Sequence, residues 1–325
     1  MIRPILLLAL LLLVLPPELL RAQSNTPRRP SMVGYVEDAT IRNQFRVRLD
    51  LGSRAGSPDR AEFFYAKCGC YRVFDPPVRD PDAPGPGPGA LYSVSYQQLY
   101  LQADYAPSPR LGLFAEVSLR SVEPDRFVEL DPVFAPFDGE AGLGDTRVGA
   151  KVGLILEEDR ALTLQVRASI PTGDPAKGLG NNNVSIEPTL TFSSQVAPRW
   201  GIESQVGYLH PFGGSDPVPG TNADRFAGSI LHFGIGPSFD AWEGERMSLS
   251  PVLEVVGWRV LGGNQTTCRD DECRFLDADA NIVNAKLGTR LAWGGGSSVY
   301  VGYGLALTDA AWYRSIIRAE YRHAR

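Results

Sequence analysis

Alternation of apolar and polar residues, sustained over long stretches, constrains this chain more than any other feature. Phe45, Val47, Leu49 and Leu51 enclose Arg46, Arg48 and Asp50, and Leu111, Leu113, Ala115, Val117 and Leu119 enclose Gly112, Phe114, Glu116 and Ser118. The rhythm returns at 148–154, 162–170, 283–291 and 299–307. Successive strand residues face opposite sides of a sheet, so each stretch has one oily face and one polar or small face. About twelve such strands are predicted, at 41–51, 93–106, 110–121, 145–157, 160–171, 184–197, 199–211, 225–240, 246–260, 281–293, 297–308 and 313–324. Most span roughly 10–15 residues, against the 5–6 usual in soluble proteins, which suits a tilted crossing of a bilayer.

The connections sharpen this reading. Long links at 52–92, 122–144, 172–183, 212–224 and 261–280 alternate with short ones such as Ala106-Pro107-Ser108-Pro109, Glu158-Asp159, Ala197-Pro198 and Gly294-Gly295-Gly296. Membrane barrels have this asymmetry, with short periplasmic turns and long outer loops. An even strand number places both termini on the periplasmic side. Trp200, Trp242 and Trp293 fall beside short turns and Trp312 beside the last outer link, the positions of two interfacial girdles. The rival fold is a soluble sandwich whose core ends these rings would plug. Pro188, Pro237 and Pro251 fall inside strands and call for bulges or shifted ends. In 246–260 the apolar phase is ambiguous, because Leu249, Leu253 and Val255 are out of step with Val256, Trp258 and Val260.

The N-terminus reads differently. Arg3, the apolar run Ile5 to Leu15, Pro16-Pro17 and Ala22 form the pattern of a cleaved secretory signal peptide over 1–22. The expected organisation is then a periplasmic N-terminal segment at 23–40 and one barrel at 41–325. No apolar stretch reaches the roughly 20 residues a membrane helix needs. A net charge of −5 excludes a strongly basic nucleic-acid binder. The fold class is therefore all-β, a single transmembrane antiparallel up-and-down β-barrel.

Two motifs carry a family resemblance. Gly142-Leu143-Gly144-Asp145-Thr146-Arg147-Val148-Gly149-Ala150-Lys151 opens one strand, and the following hairpin ends in Ser169-Ile170-Pro171-Thr172-Gly173-Asp174. The pairing resembles bacterial outer-membrane barrels described as transporters of the phenol-degradation-pathway type. The resemblance implies an outer-membrane protein that passes hydrophobic or aromatic compounds. Such barrels often end on an aromatic residue, whereas this chain ends His323-Ala324-Arg325.

The inward phase carries Arg46, Arg48, Asp104, Glu116, Arg120, Arg147, Lys151, Arg167, Glu187, Glu203, Lys286, Arg290, Arg318 and Glu320. Unpaired charges in a narrow lumen are costly, so cross-strand pairing is expected. Two readings follow: these residues line a polar pore for small solutes crossing by passive diffusion, or they form a salt-bridged plug in a structural or adhesive barrel. Both signs are present, so no ion selectivity is read. Cys68, Cys70, Cys268 and Cys273 lie in proposed outer links, where a secreted context favours disulfides. Three connectivities exist, with Cys268–Cys273 favoured and bridging between loops the rival. Gly173 to Gly178 has phosphate-loop glycine spacing, but Leu179 stands where Lys is required. No metal or cofactor is expected. Lipids and a small solute are the expected partners, and the barrel is expected to be a monomer. An enzymatic rival, an outer-membrane lipase, would rest on His210 and Ser229, both outward-facing and able to meet across the 212–224 link. No third orienting residue is apparent on that face, so a non-enzyme is expected.

Overall fold

A computed structural model describes residues 29–55, 90–128, 139–174, 177–181, 183–213, 228–269, 272–294 and 296–325. The strands are β1 (Gln44–Ala55), β2 (Ala90–Ser108), β3 (Leu111–Val128), β4 (Glu140–Leu143), β5 (Thr146–Leu156), β6 (Arg160–Ile170) and β7 (Val184–Ala197). They continue as β8 (Trp200–Phe212), β9 (Ile230–Phe239), β10 (Trp242–Glu243), β11 (Met247–Arg269), β12 (Glu272–Trp293), β13 (Ser297–Ala306) and β14 (Ser315–Ala324). Neighbours in the chain pair antiparallel around the sheet. β14 returns to β1 over Gln44–Ser53, and β9 pairs with β11, which closes the ring. β4 and β10 are short appendages on β3 and β11. The other twelve strands form one up-and-down barrel. Closure removes every sheet edge, the condition for a strand protein to cross hydrocarbon.

The prolines sit where the ladder lets them. Pro188 is opposite Val166 on the β6 side, while the β7–β8 register skips from Ile186 to Thr189. Pro237 faces Ile202 of β8, and the β9–β11 register skips it. Pro251 pairs with Thr289 of β12 and lies just outside the β9 pairing, which begins at Val252. Each missing N–H therefore falls at an interruption of one ladder.

The apolar phase faces outward. Leu287 is 65% exposed and Val301 55%, values that in water would mean a large unsatisfied oily surface and in a bilayer mean lipid contact. Lys286, the next residue back, is 1% exposed. Trp200, Trp242 and Trp293 project outward beside short turns as a girdle does. Trp312 does not: it is 1% exposed and packs inside the barrel with Val94, Tyr96, Val260 and Ile316. The inward residues at that level are apolar, so Ala311-Trp312-Tyr313 fold over the rim into the lumen.

Three other expectations change. The link 261–280 is largely ladder, with β11 running to Arg269 and β12 starting at Glu272. Within 122–144, β3 continues to Val128 and β4 occupies Glu140–Leu143. The third change matters most. Residues 29–43 do not hang below the barrel as a separate periplasmic segment; they enter it.

Candidate functional site

Residues 29–43 form a re-entrant segment in the lumen. Arg29 pairs with Asp240 at the short-turn end, at 2.7 Å, and Asn43 Oδ1 accepts the Ala106 N–H at the same end. Between them the chain rises to an apex near Tyr35–Glu37 and returns. It pairs with no strand among the described residues, so its buried backbone groups need side chains to satisfy them. Six consecutive amides find them. Met32 and Val33 donate to Glu203 Oε1 at 2.7 and 3.3 Å. Gly34, Tyr35 and Val36 donate to the Glu254 carboxylate at 3.0, 2.8 and 2.7 Å, and Glu37 donates to Gln205 at 2.6 Å. The carbonyls are held by cations and a hydroxyl. Arg290 donates to Met32 and Val33, Arg318 to Gly34, Lys151 to Asp38, and Thr163 to Ala39.

Apolar packing completes the socket. Met32, Val33 and Val36 are buried against Val252, Val256 and Tyr300. This explains the ambiguous phase of β11: its outward residues meet lipid while Val252 and Val256 meet the segment. Gly34 lies under the Tyr300 ring, where an added Cβ would collide with the ring, and a Cβ at Gly236 would collide with Val33. Both glycines are there for close approach.

All fourteen inward charged residues named from the sequence point into the barrel, and most are committed to partners. Glu37 pairs with Arg167 at 2.5 Å, Glu116 with Arg147 at 3.1 Å and Arg48 at 3.4 Å, and Glu187 with Arg167 at 3.4 Å. Glu320 joins Arg290 at 2.7 Å and Arg46 at 3.7 Å. Arg318 clasps Asp50 through two contacts of 2.7 and 2.6 Å. Asp104 accepts from Gln102 and Gln44. Arg120 is buried, with Nε and Nη1 lacking hydrogen-bond partners among the described residues.

Above the apex is a cavity of about 160 Å³. Tyr35, Tyr96, Tyr100, Trp258 and Tyr313 supply aromatic walls; five cations (Arg48, Arg147, Arg167, Lys286, Arg318) face three carboxylates (Glu37, Asp50, Glu187). His232 lies between Thr189, Gln205 and Glu187. Beyond the cavity, toward the outer end, Ala55, Val94, Val122, Leu179, Val260, Ile282 and Trp312 make an apolar cluster.

The two family-like motifs meet at this end. Asp145 accepts the amides of Gly173 at 3.1 Å and Asn181 at 2.8 Å, and Thr172 donates to the Gly144 carbonyl at 2.8 Å. Burial pushes the Asp145 carboxyl above its ordinary range, against the pull of those amides. The motifs thus latch the link after β6 so that Leu179 reaches the lumenal cluster.

Cys68 and Cys70 lie outside the described residues. The β11–β12 register sets Cys268 opposite Cys273. His210 Nδ1 and Ser229 Oγ do meet, at 3.0 Å, with His210 between the rings of Tyr208 and Phe212. Among the described residues no carboxylate contacts His210, so the contact is a dyad without an orienting acid.

The segment in the lumen was missed from sequence, although two signals bore on it. Met32-Val33-Gly34-Tyr35-Val36 is an apolar run without alternation, and the fourteen inward charges are nine cations against five carboxylates, more cations than cross-strand acids could pair.

The family model described as "Putative MetA-pathway of phenol degradation" matches residues 94–244. Among solved structures, an outer membrane channel from Pseudomonas putida F1 aligns at 14% identity with a TM-score of 0.52, covering 90% of this chain and 99% of that one. The KdgM porin aligns at 9% identity and TM-score 0.41, over 87% of this chain and 99% of its own. The NanC porin gives 7% and 0.44, over 86% and 98%. Those last two superpose too loosely to carry an argument, and the first speaks to fold alone. No curated protein matches the chain. With its lipid-facing belt, closed ladder and latched motifs, the chain is an outer-membrane β-barrel that resembles the phenol-degradation-pathway barrels.

Proposed function

We propose that the barrel is a channel for small solutes, crossed by passive diffusion once the segment 29–43 leaves its socket. The observation that carries this reading is the segment itself. It fills the short-turn half of the lumen without belonging to the ladder, so it can withdraw without breaking a strand pairing. The charged residues below the cavity then have two states. With the segment seated they bind its backbone; with the segment withdrawn they become the polar wall of a slender passage, the size expected between eight-stranded filled barrels and 16–18-stranded water channels.

The test is solute flux in liposomes, comparing the mature chain with a variant lacking residues 31–42. Heat-dependent electrophoretic mobility serves as the check on folding. The deletion is expected to conduct strongly and the intact barrel weakly or intermittently. A folded barrel that stays silent without the segment overturns the proposal and returns the structural or adhesive barrel to first place. Monomeric mass in detergent is the expected accompanying result.

A further inference from the structure

We infer that the cavity above the segment is a binding site for a small aromatic anion, a single ring bearing one carboxylate, held by the Lys286 ammonium between tyrosine faces. This rests on reading the lumen as a solute path and names the solute's chemistry.

Lys286 carries the argument. It is 1% exposed and lines the cavity, yet no carboxylate lies within ion-pair reach of its Nζ among the described residues. The two carboxylates that could serve it are engaged elsewhere. Glu254, directly opposite in the β11–β12 register, is taken up by the amides of Gly34, Tyr35 and Val36 and by the Tyr300 hydroxyl. Asp50 is clasped on both oxygens by Arg318. What Nζ has instead is the Tyr313 hydroxyl at 2.5 Å, the Tyr35 ring at 3.7 Å and the Tyr313 ring at 4.9 Å. Aromatic faces stabilise a cation only partly, and a buried ammonium without a counter-charge is costly. An anion entering the cavity would supply that missing charge.

The walls choose the rest of the ligand. Arg318 lies 4.1 Å over the Tyr35 ring, so this part of the wall is itself an alternation of cation and ring that a flat anion can join. Trp258 adds a broad apolar face. The volume of about 160 Å³ is close to the ~150 Å³ of an engineered cavity that takes up one benzene molecule, so one ring fits and two do not. Cations outnumber carboxylates on the wall, which disfavours a cationic guest.

The test uses the complete mature barrel in detergent, titrated calorimetrically with three probes. Benzoate has ring and charge, benzamide the ring alone, and cyclohexanecarboxylate the charge without a flat ring. Benzoate is expected to bind about tenfold or more tighter than either of the others. Lys286→Met is expected to remove the preference for benzoate over benzamide, and Lys286→Arg to keep it. Equal affinity for benzoate and benzamide, or no saturable benzoate binding, overturns the site; this comparison is made on the unaltered protein and so does not depend on the variants folding. Solute flux without benzoate binding overturns the site and leaves the channel standing. Benzoate binding in a barrel that never conducts supports the site and overturns the channel.

Discussion

The two halves of the lumen are built from similar residues and solve opposite problems. From the short turns up to the level of Glu254, Glu203, Glu254, Lys151, Arg290 and Arg322 are spent on one guest, the backbone of residues 31–39. From the level of Glu254 outward, Lys286 and Arg120 are buried without a carboxylate partner among the described residues, and the rings of Tyr35 and Tyr313 flank the Lys286 ammonium. The first set holds its occupant in place; the second lacks a counter-charge. Burying charge is tolerable in either case only if a partner is present or can arrive. On the proposed reading the labour is divided, with closure below and recognition above.

Substitutions are expected to separate the halves. The largest effect is expected from Glu254→Ala. It strips the acceptor from three amides and the Tyr300 hydroxyl. Each buried donor left unpaired costs about 1–3 kcal/mol, so the segment should leave its socket while the barrel stays closed on itself. Limited proteolysis between residues 31 and 42, with unchanged heat-dependent mobility, would reveal it; continued protection would show that the carboxylate is not the anchor. Gly34→Leu attacks the same seat sterically, because the Tyr300 ring leaves no room for a side chain. Overpacking of this kind costs about 1–3 kcal/mol, and raised conductance is the expected readout.

Asp145→Ala addresses the outer half. Freeing the Gly173 and Asn181 amides should loosen the latch by about 1–3 kcal/mol, less where water can reach them. Hydrogen exchange should accelerate across 171–181 and stay unchanged at 31–39; acceleration in both would mean the halves are one cooperative unit. The smallest effect is expected at the rim. A Cys268–Cys273 disulfide, expected from their opposed register, closes a very short loop, so Cys268→Ser should cost no more than about 2 kcal/mol. Peptide mapping without reductant checks the pairing directly.

Most of the barrel was legible because a strand's two faces meet different solvents. Leu162 to Ile170 and Val283 to Leu291 had to present one face to lipid, and the period-two pattern records it. β7 falls on the predicted 184–197, and β6 at 160–170 differs by one residue from the predicted end. The hairpin at 261–280 was harder, since ladder residues that extend beyond the membrane lose the lipid requirement and with it the alternation. Trp312 was misplaced for a related reason. An aromatic residue near a rim can face lipid or lumen, and only the apolar residues packed beneath it decide.

The candidate site divides in the same way. The sequence by itself determined which residues face inward, because phase along a strand is a local property. It could not say what those residues hold. Whether Glu254 pairs with Lys286, its cross-strand neighbour, or with a segment more than 200 residues away in the chain depends on what occupies the space between the walls. That is a property of the closed barrel alone: ring closure creates an interior, residues 29–43 fill half of it, and the cations left over define the rest.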